Sequence, residues 1–313
     1  MSMPEIALVL VALLFGVYGW MSSLELGIGL LRITGRRGLD TGTNRNMFTP
    51  LWEITNVFLV FGFTGFVVFF NNGLQATSEA VFTVLTLAMV GIVARGCLVL
   101  YLYYHRNQLG WTLGNALFVL VSLLVPMCFA AAGIRLLTGA QFWQTNTGWV
   151  FAATALAGIL ALAVSFMQYS LSRQQKLSNR LRLTSTGLTV MFAGLGTLGL
   201  QTVLANSTNH LMGAPFVAWT VLLDLLLLFT AVLLLTHKEQ RLWWGLSVVA
   251  VAAPVVWALA NRPYLLYPGL LDTAYGAQAY DKAALIGLGV IFPVILVGFI
   301  IFVKLFTTQP KSS

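Results

Sequence analysis

Residues 6–31 read IALVLVALLFGVYGWMSSLELGIGLL, 26 residues with a single charge, Glu25. A helix needs about 20 apolar residues to cross the hydrocarbon of a bilayer. This stretch is therefore long enough to span it. Eight more stretches of the same kind follow, at about 50–70, 80–104, 112–134, 148–170, 185–205, 215–236, 243–260 and 284–306. The connections between them are too short to hold a soluble domain. The first stretch lacks a basic leader and a small-residue cleavage pattern, so it reads as a retained helix rather than a signal peptide.

Composition agrees. Of 313 residues, 17 are Lys or Arg and 9 are Asp or Glu, which is 8% charged, while 58% are hydrophobic. Soluble domains carry about 25% charged residues. The figures exclude a disordered chain and make an ordinary soluble enzyme untenable. Spanning segments in lipid must satisfy their own backbone hydrogen bonds, so helices are expected. The alternating strands of about ten residues that a barrel needs do not occur. The fold class is an all-α polytopic membrane protein.

The net charge of +8 raises the question of nucleic acid, and the placement of the charges answers it. The odd-numbered connections and the C-terminal end hold Arg32, Arg36, Arg37, Arg45, Arg106, Arg173, Lys176, Arg180, Arg182, Lys238, Arg241, Lys304 and Lys311. The even-numbered ones hold only Arg135, Arg262 and Lys282. Basic loops stay on the cytoplasmic side. The expectation is nine spans with the N-terminus out and the C-terminus in, and no nucleic-acid partner.

A weak repeat is visible. The third segment ends in His105-Arg106-Asn107-Gln108 with Trp111 following, and the seventh in His237-Lys238-Glu239-Gln240 with Trp243 following. The expected organisation is a single membrane domain of two four-helix bundles (about 1–137 and 138–262) plus an outer loop and a peripheral ninth helix (about 263–313).

Ionisable groups inside a membrane are costly and mark function more often than chance. Four are candidates: Glu25, Glu53, Arg95 and Asp224, each within an apolar segment. Glu25 near the end of the first segment and Glu53 near the start of the second lie at comparable depth. Arg95 lies roughly 13 Å along its helix from the same side. Glu25, Glu53, Arg95 and nearby Asn56 make a candidate proton path. The bland alternative is a static ion pair locking helices together. Asp224 is an acid of unassigned role, and Trp52 is a candidate contact for a partner subunit or a quinone.

The histidines His105, His210 and His237 lie in connections or at segment ends, so a transmembrane bis-His haem site cannot be built from this chain. Methionines read as packing. Cys97 and Cys128 fall at different depths, which argues against a disulfide, and two Cys make no zinc site. No cofactor or metal is expected in this chain. Gly27 with Gly29, and Gly194 with Gly196 and Gly199, are expected to allow close helix approach.

Two stretches resemble subunit II of the cytochrome bd quinol oxidases. Leu24-Glu25-Leu26-Gly27-Ile28-Gly29-Leu30-Leu31 is similar to that family's opening helix, with Glu25 where the family has Asp. Pro50-Leu51-Trp52-Glu53-Ile54-Thr55-Asn56-Val57 is similar to the start of its second helix, with Trp52 matched and Glu53 again replacing Asp. Arg95 matches an arginine of its third helix, and Tyr169 to Arg182 resembles the basic loop after its fifth. Departures occur as well: Ile54 and Thr55 replace Gly-Asn, and Leu100 replaces an acid.

The resemblance implies nine helices and a haem-free accessory role. It implies as partner a haem-bearing subunit I, with b-type and d-type haems, that oxidises quinol and reduces oxygen to water. On this reading the chain is the non-haem subunit of a quinol:oxygen oxidoreductase in a bacterial or archaeal cytoplasmic membrane. A small single-helix subunit, quinone and lipid are further expected partners. Two alternatives stand beside it. One is a secondary transporter with a 4+4 repeat, which would need helices broken near the midplane, at Pro126 and Pro254. The other is a bd-like electron-transfer complex that does not reduce oxygen.

Overall fold

The structure is a computed structural model, and it describes residues 2–33, 42–104, 108–138, 146–173, 179–206, 214–235, 241–260, 264–266, 269–276 and 281–307. The chain is helical almost throughout. The elements are α1 (Met3–Ile33), α2 (Gly42–Phe69), α3 (Leu74–Tyr104), α4 (Gln108–Thr138), α5 (Asn146–Arg173), α6 (Asn179–Asn206), α7 (Ala214–Leu235) and α8 (Leu242–Ala260). A small antiparallel pair follows, β1 (Tyr264–Leu266) with β2 (Gly269–Leu270), then a one-turn helix α9 (Leu271–Ala274) and a long helix α10 (Asp281–Thr307). Among the described residues, five stretches are long and apolar enough to cross a membrane: Met3–Leu30, Leu51–Phe69, Val81–Leu102, Thr112–Gly133 and Asn146–Tyr169. Leu242–Val256 and Lys282–Val294 are shorter apolar stretches.

Several helices outrun the apolar windows read from the sequence. α1, α3 and α4 have 31 residues each, about 46 Å at 1.5 Å per residue, against a hydrocarbon core of about 30 Å. The excess is polar, as in the Thr43-Asn44-Arg45-Asn46 start of α2. α4 and α8 continue unbroken through Pro126 and Pro254. The breaks that a transporter would need at those prolines are therefore not made.

α1 and α5 form the centre. α1 packs on α2, α4, α5 and α8, and α5 packs on α1, α4, α6 and α8. Exchanging α1–α4 for α5–α8 maps the main pairings onto themselves: α1·α2 onto α5·α6, α3·α4 onto α7·α8, and α1·α8 onto α5·α4. Among the described residues, α10 packs mainly on α1 and α2. The central position explains the small residues of α5. Ala152, Ala157, Ala161 and Ala163 are all buried, and they let neighbouring backbones approach.

Two α1 glycines show how close that approach is. A Cβ on Gly16 would sit 2.6 Å from the Val251 carbonyl oxygen of α8, and one on Gly27 would sit 2.9 Å from the Ala163 carbonyl oxygen of α5. Gly194, by contrast, has nothing within 4 Å, so its expected packing role is not met among the described residues. The same seam is tied by a polar link. Trp20 Nε1 donates to Ser247 Oγ at 2.8 Å, and Ser247 donates to the Trp243 carbonyl at 2.7 Å. Gly16→Val is expected to lower the melting temperature of the purified protein by several degrees, because overpacking against backbone costs roughly 1–3 kcal/mol. Gly19→Ala, with open space at its Cβ, should leave it unchanged or slightly raised. Equal behaviour of the two variants in a melting assay contradicts the α1–α8 seam.

The other end is closed by the segment before α10. Gly276 N–H donates to the Phe69 carbonyl at 3.0 Å, and Asn72 Nδ2 donates to the Tyr275 carbonyl at 3.3 Å. Ala274 and Leu285 join Ala7, Leu8, Val11, Phe69, Phe70 and Ala258 in a separate apolar cluster. The hairpin and α9 have no counterpart in the sequence reading, which saw only a connection there.

Candidate functional site

The polar centre of the first half grows from one face of α1. Tyr18, Ser22 and Glu25 follow at helical spacings of four and three, so they project to one side. All three are buried, and Glu25 is wholly shielded. α3 brings Arg95 to the same place, at 3% exposure. The guanidinium donates from Nη2 to Glu25 Oε2 and from Nη1 to Ser22 Oγ. Nη2 also lies 3.5 Å from the Ser22 carbonyl oxygen. The charges face each other directly, as a buried pair must if its desolvation cost is to be offset.

The walls come from the adjoining helices. Phe118 of α4 lies beneath the guanidinium, 5.7 Å from Arg95 Cζ to the ring centroid, a cation–π distance. Tyr18 lies against Ser22. Thr55 of α2 lies against Glu25 and donates to the Leu51 carbonyl at 2.8 Å. Two buried atoms of the pair, Glu25 Oε1 and Arg95 Nε, have no hydrogen-bond partner among the described residues. Four helices thus meet at one ion pair with spare hydrogen-bonding capacity on each side.

The structure separates the other candidates from this pair. Glu53 is exposed, on the face of α2 that also carries exposed Val57, Val60 and Val67. The opposite stripe of the same helix, Leu51, Thr55, Phe58 and Leu59, is buried. Similar depth therefore did not bring Glu53 to Glu25, because the two acids sit on helix faces that diverge. Asn56 is half-buried. Trp52 is half-buried, with its ring edge 3.0 Å from where a Gly96 Cβ would be, so it rests on the backbone next to Arg95. Asp224 is also exposed, among Val221, Leu225 and Leu228, while Leu226 and Thr230 face inward. Two of the four ionisable groups expected to be buried are thus on this chain's surface. Ser22, Tyr18, Thr55 and Phe118 were missed as parts of the site. The spacing of Ser22 from Glu25 was the available signal.

His105, His210 and His237 lie outside the described residues. Among the described residues no group of three His, Cys, Asp or Glu side chains is placed to hold a metal ion. Met21 belongs to the same apolar cluster as Leu14, Leu24 and Trp20, and Met167 to one with Leu30, Leu181 and Leu188. Cys97 and Cys128 are free thiols.

No curated protein matches the chain. Among solved structures it is similar to one described as the structure of bd oxidase from Geobacillus thermodenitrificans. The TM-score is 0.81 at 17% identity, over 99% of this chain and 100% of that one. At that identity the likeness speaks for the fold. The family described as cytochrome bd terminal oxidase subunit II matches residues 3–306. With the match running over nearly its whole length, the chain belongs to the cytochrome bd terminal oxidase subunit II family.

Proposed function

We propose that this chain is the haem-free subunit of a bd-type quinol oxidase. It braces a haem-bearing partner and offers protons a polar route on the side that carries the basic loops. The family match carries the first part of this reading. The Glu25–Arg95 pair, with its unpartnered Glu25 Oε1, carries the second.

In this account the b-type and d-type haems belong to the partner and supply the redox chemistry, oxidising quinol and reducing oxygen to water. The contribution of this chain is electrostatic and structural. Arg95 fixes one carboxylate oxygen of Glu25 and leaves the other to exchange a proton. Ser22 and Tyr18 extend the polar lining along α1. Glu53 and Asn56 form the outer part of the route, on a face of α2 that the partner or a hydrated interface covers. Trp52, lodged against Gly96, holds that part of α2 in register and is the candidate contact for partner or quinone. The nine long helices among the described residues are taken as nine spans with the N-terminus out, in two four-helix bundles plus α10, in a bacterial or archaeal cytoplasmic membrane. Lipid and a single-helix subunit are the remaining proposed neighbours.

An affinity-tagged copy, extracted mildly from its native membrane, tests the reading. A second polytopic chain with visible haem absorption should co-purify, and the preparation should consume oxygen when given quinol. Recovery of the chain with a haem-free partner, or with a haem partner that transfers electrons without consuming oxygen, contradicts it.

A further inference from the structure

The second half of the chain contains a polar spot that the oxidase reading does not use. Gln168 of α5 and Ser185 of α6 are both 0% exposed. Among the described residues, neither the Gln168 amide atoms nor the Ser185 hydroxyl has a hydrogen-bond partner. Buried amides and hydroxyls are otherwise almost always partnered, by protein or by ordered water.

The helix register brings the two together. Gly199 packs on Phe151, and Gly158 packs on Phe192. Both contacts obey one antiparallel alignment of α5 with α6, which sets Ser185 level with Ser165. Ser165 is one turn from Gln168 and is itself buried, its hydroxyl donating to the Leu162 carbonyl at 2.9 Å. Val164 and Met167, which precede Gln168 on α5, form one apolar cluster with Leu181 and Leu188, the α6 residues on either side of Ser185. Gln168 and Ser185 therefore lie on facing stripes, within about one helical turn, roughly 5 Å, of each other in depth.

The pattern has a counterpart in the first half. Ser165-x-x-Gln168 on α5 repeats the spacing of Ser22-x-x-Glu25 on α1, and α5 takes the place of α1 when the halves are exchanged. Thr55 stands across from the α1 pair as Ser185 does from the α5 pair. The arginine is not repeated: α7, the counterpart of α3, offers Leu226 and Leu227 at the corresponding depth. The ion pair at Glu25 and Arg95 therefore has no charged counterpart at Gln168 and Leu227.

We propose that the α5–α6 interface is a buried hydration site, with Gln168 and Ser185 as its protein ligands and ordered water as its occupant. An amide offers two donors and an acceptor, and a hydroxyl offers one donor and accepts as well. Water matches both, and a buried water with two to four polar partners is a normal structural component.

A cryo-electron microscopy map of the assembled complex, at a resolution that shows waters, tests this. Density for at least one water within hydrogen-bond distance of the Gln168 amide and the Ser185 hydroxyl is expected. The Gln168 amide bonded directly to protein groups, or a dry interface, overturns the proposal. Gln168→Met keeps the shape and removes the polar atoms. It should assemble, lose that density, and melt within about 2 °C of wild type, since only a water-mediated contact is lost. A fall of more than about 5 °C, with assembly impaired, means that the amide bonds protein directly, and the proposal fails. The result is independent of whether Glu25 carries protons.

Discussion

Arg95→Ala is expected to abolish recovery of the assembled complex, the largest effect of any single change proposed. The substitution leaves Glu25 fully buried, with no cation on the oxygen that Arg95 now holds. Removing one partner of a buried pair typically costs about 3–5 kcal/mol, a large share of a total stability of roughly 5–15 kcal/mol. It also opens a void over the Phe118 ring, where the guanidinium now sits. Glu25→Gln should be milder, because the amide oxygen still accepts from the guanidinium, yet it leaves the arginine uncompensated. The double variant Glu25→Leu with Arg95→Met removes both charges and should restore assembly toward wild type, since replacing a whole buried pair is often neutral. Detergent-extracted yield and melting temperature of the complex are the readouts. Turnover of the double variant then separates the two roles of the pair. Slow turnover in a well-assembled complex supports proton exchange at Glu25, and wild-type turnover leaves the pair as a static lock.

Glu53→Gln carries the second large effect. Its side chain is exposed on this chain, so the substitution removes no internal contact and the fold should not suffer. A carboxylate in that position would be expensive against lipid, which fits a place at a hydrated or protein-covered surface. Removing its proton should slow quinol-driven oxygen uptake several-fold while the haem spectrum of the complex is preserved. Glu53→Asp should keep most of the rate, because it keeps the titrating group. Glu53→Gln turning over at the wild-type rate takes Glu53 off the route. Glu53→Gln failing to assemble makes it a structural contact instead.

The helices were legible because each is an apolar run too long for anything else, and the run read at 50–70 is the apolar part of α2. Their polar ends were not legible. Thr43 to Asn46 and Asn179 to Leu183 continue helices beyond the apolar windows, where no hydrophobic contrast marks the boundary. Helix faces were also hidden. In a soluble helix polar residues mark the outward side, but α2 carries Val57, Val60 and Val67 outward and Leu51, Phe58 and Leu59 inward. Both stripes are apolar, so no phase was available by which to place Glu53. The meeting of Glu25 with Arg95 was within reach of depth arguments alone. The contributions of Phe118 and Thr55 were not, because they depend on α4 and α2 both flanking α1.

The most direct measurement is the visible absorption spectrum of this chain purified by itself, set against that of the complex. The account predicts haem bands in the complex and none in the chain alone, whose described interior holds aliphatic and aromatic packing around one ion pair. Haem recovered in stoichiometric amount with the isolated chain contradicts it.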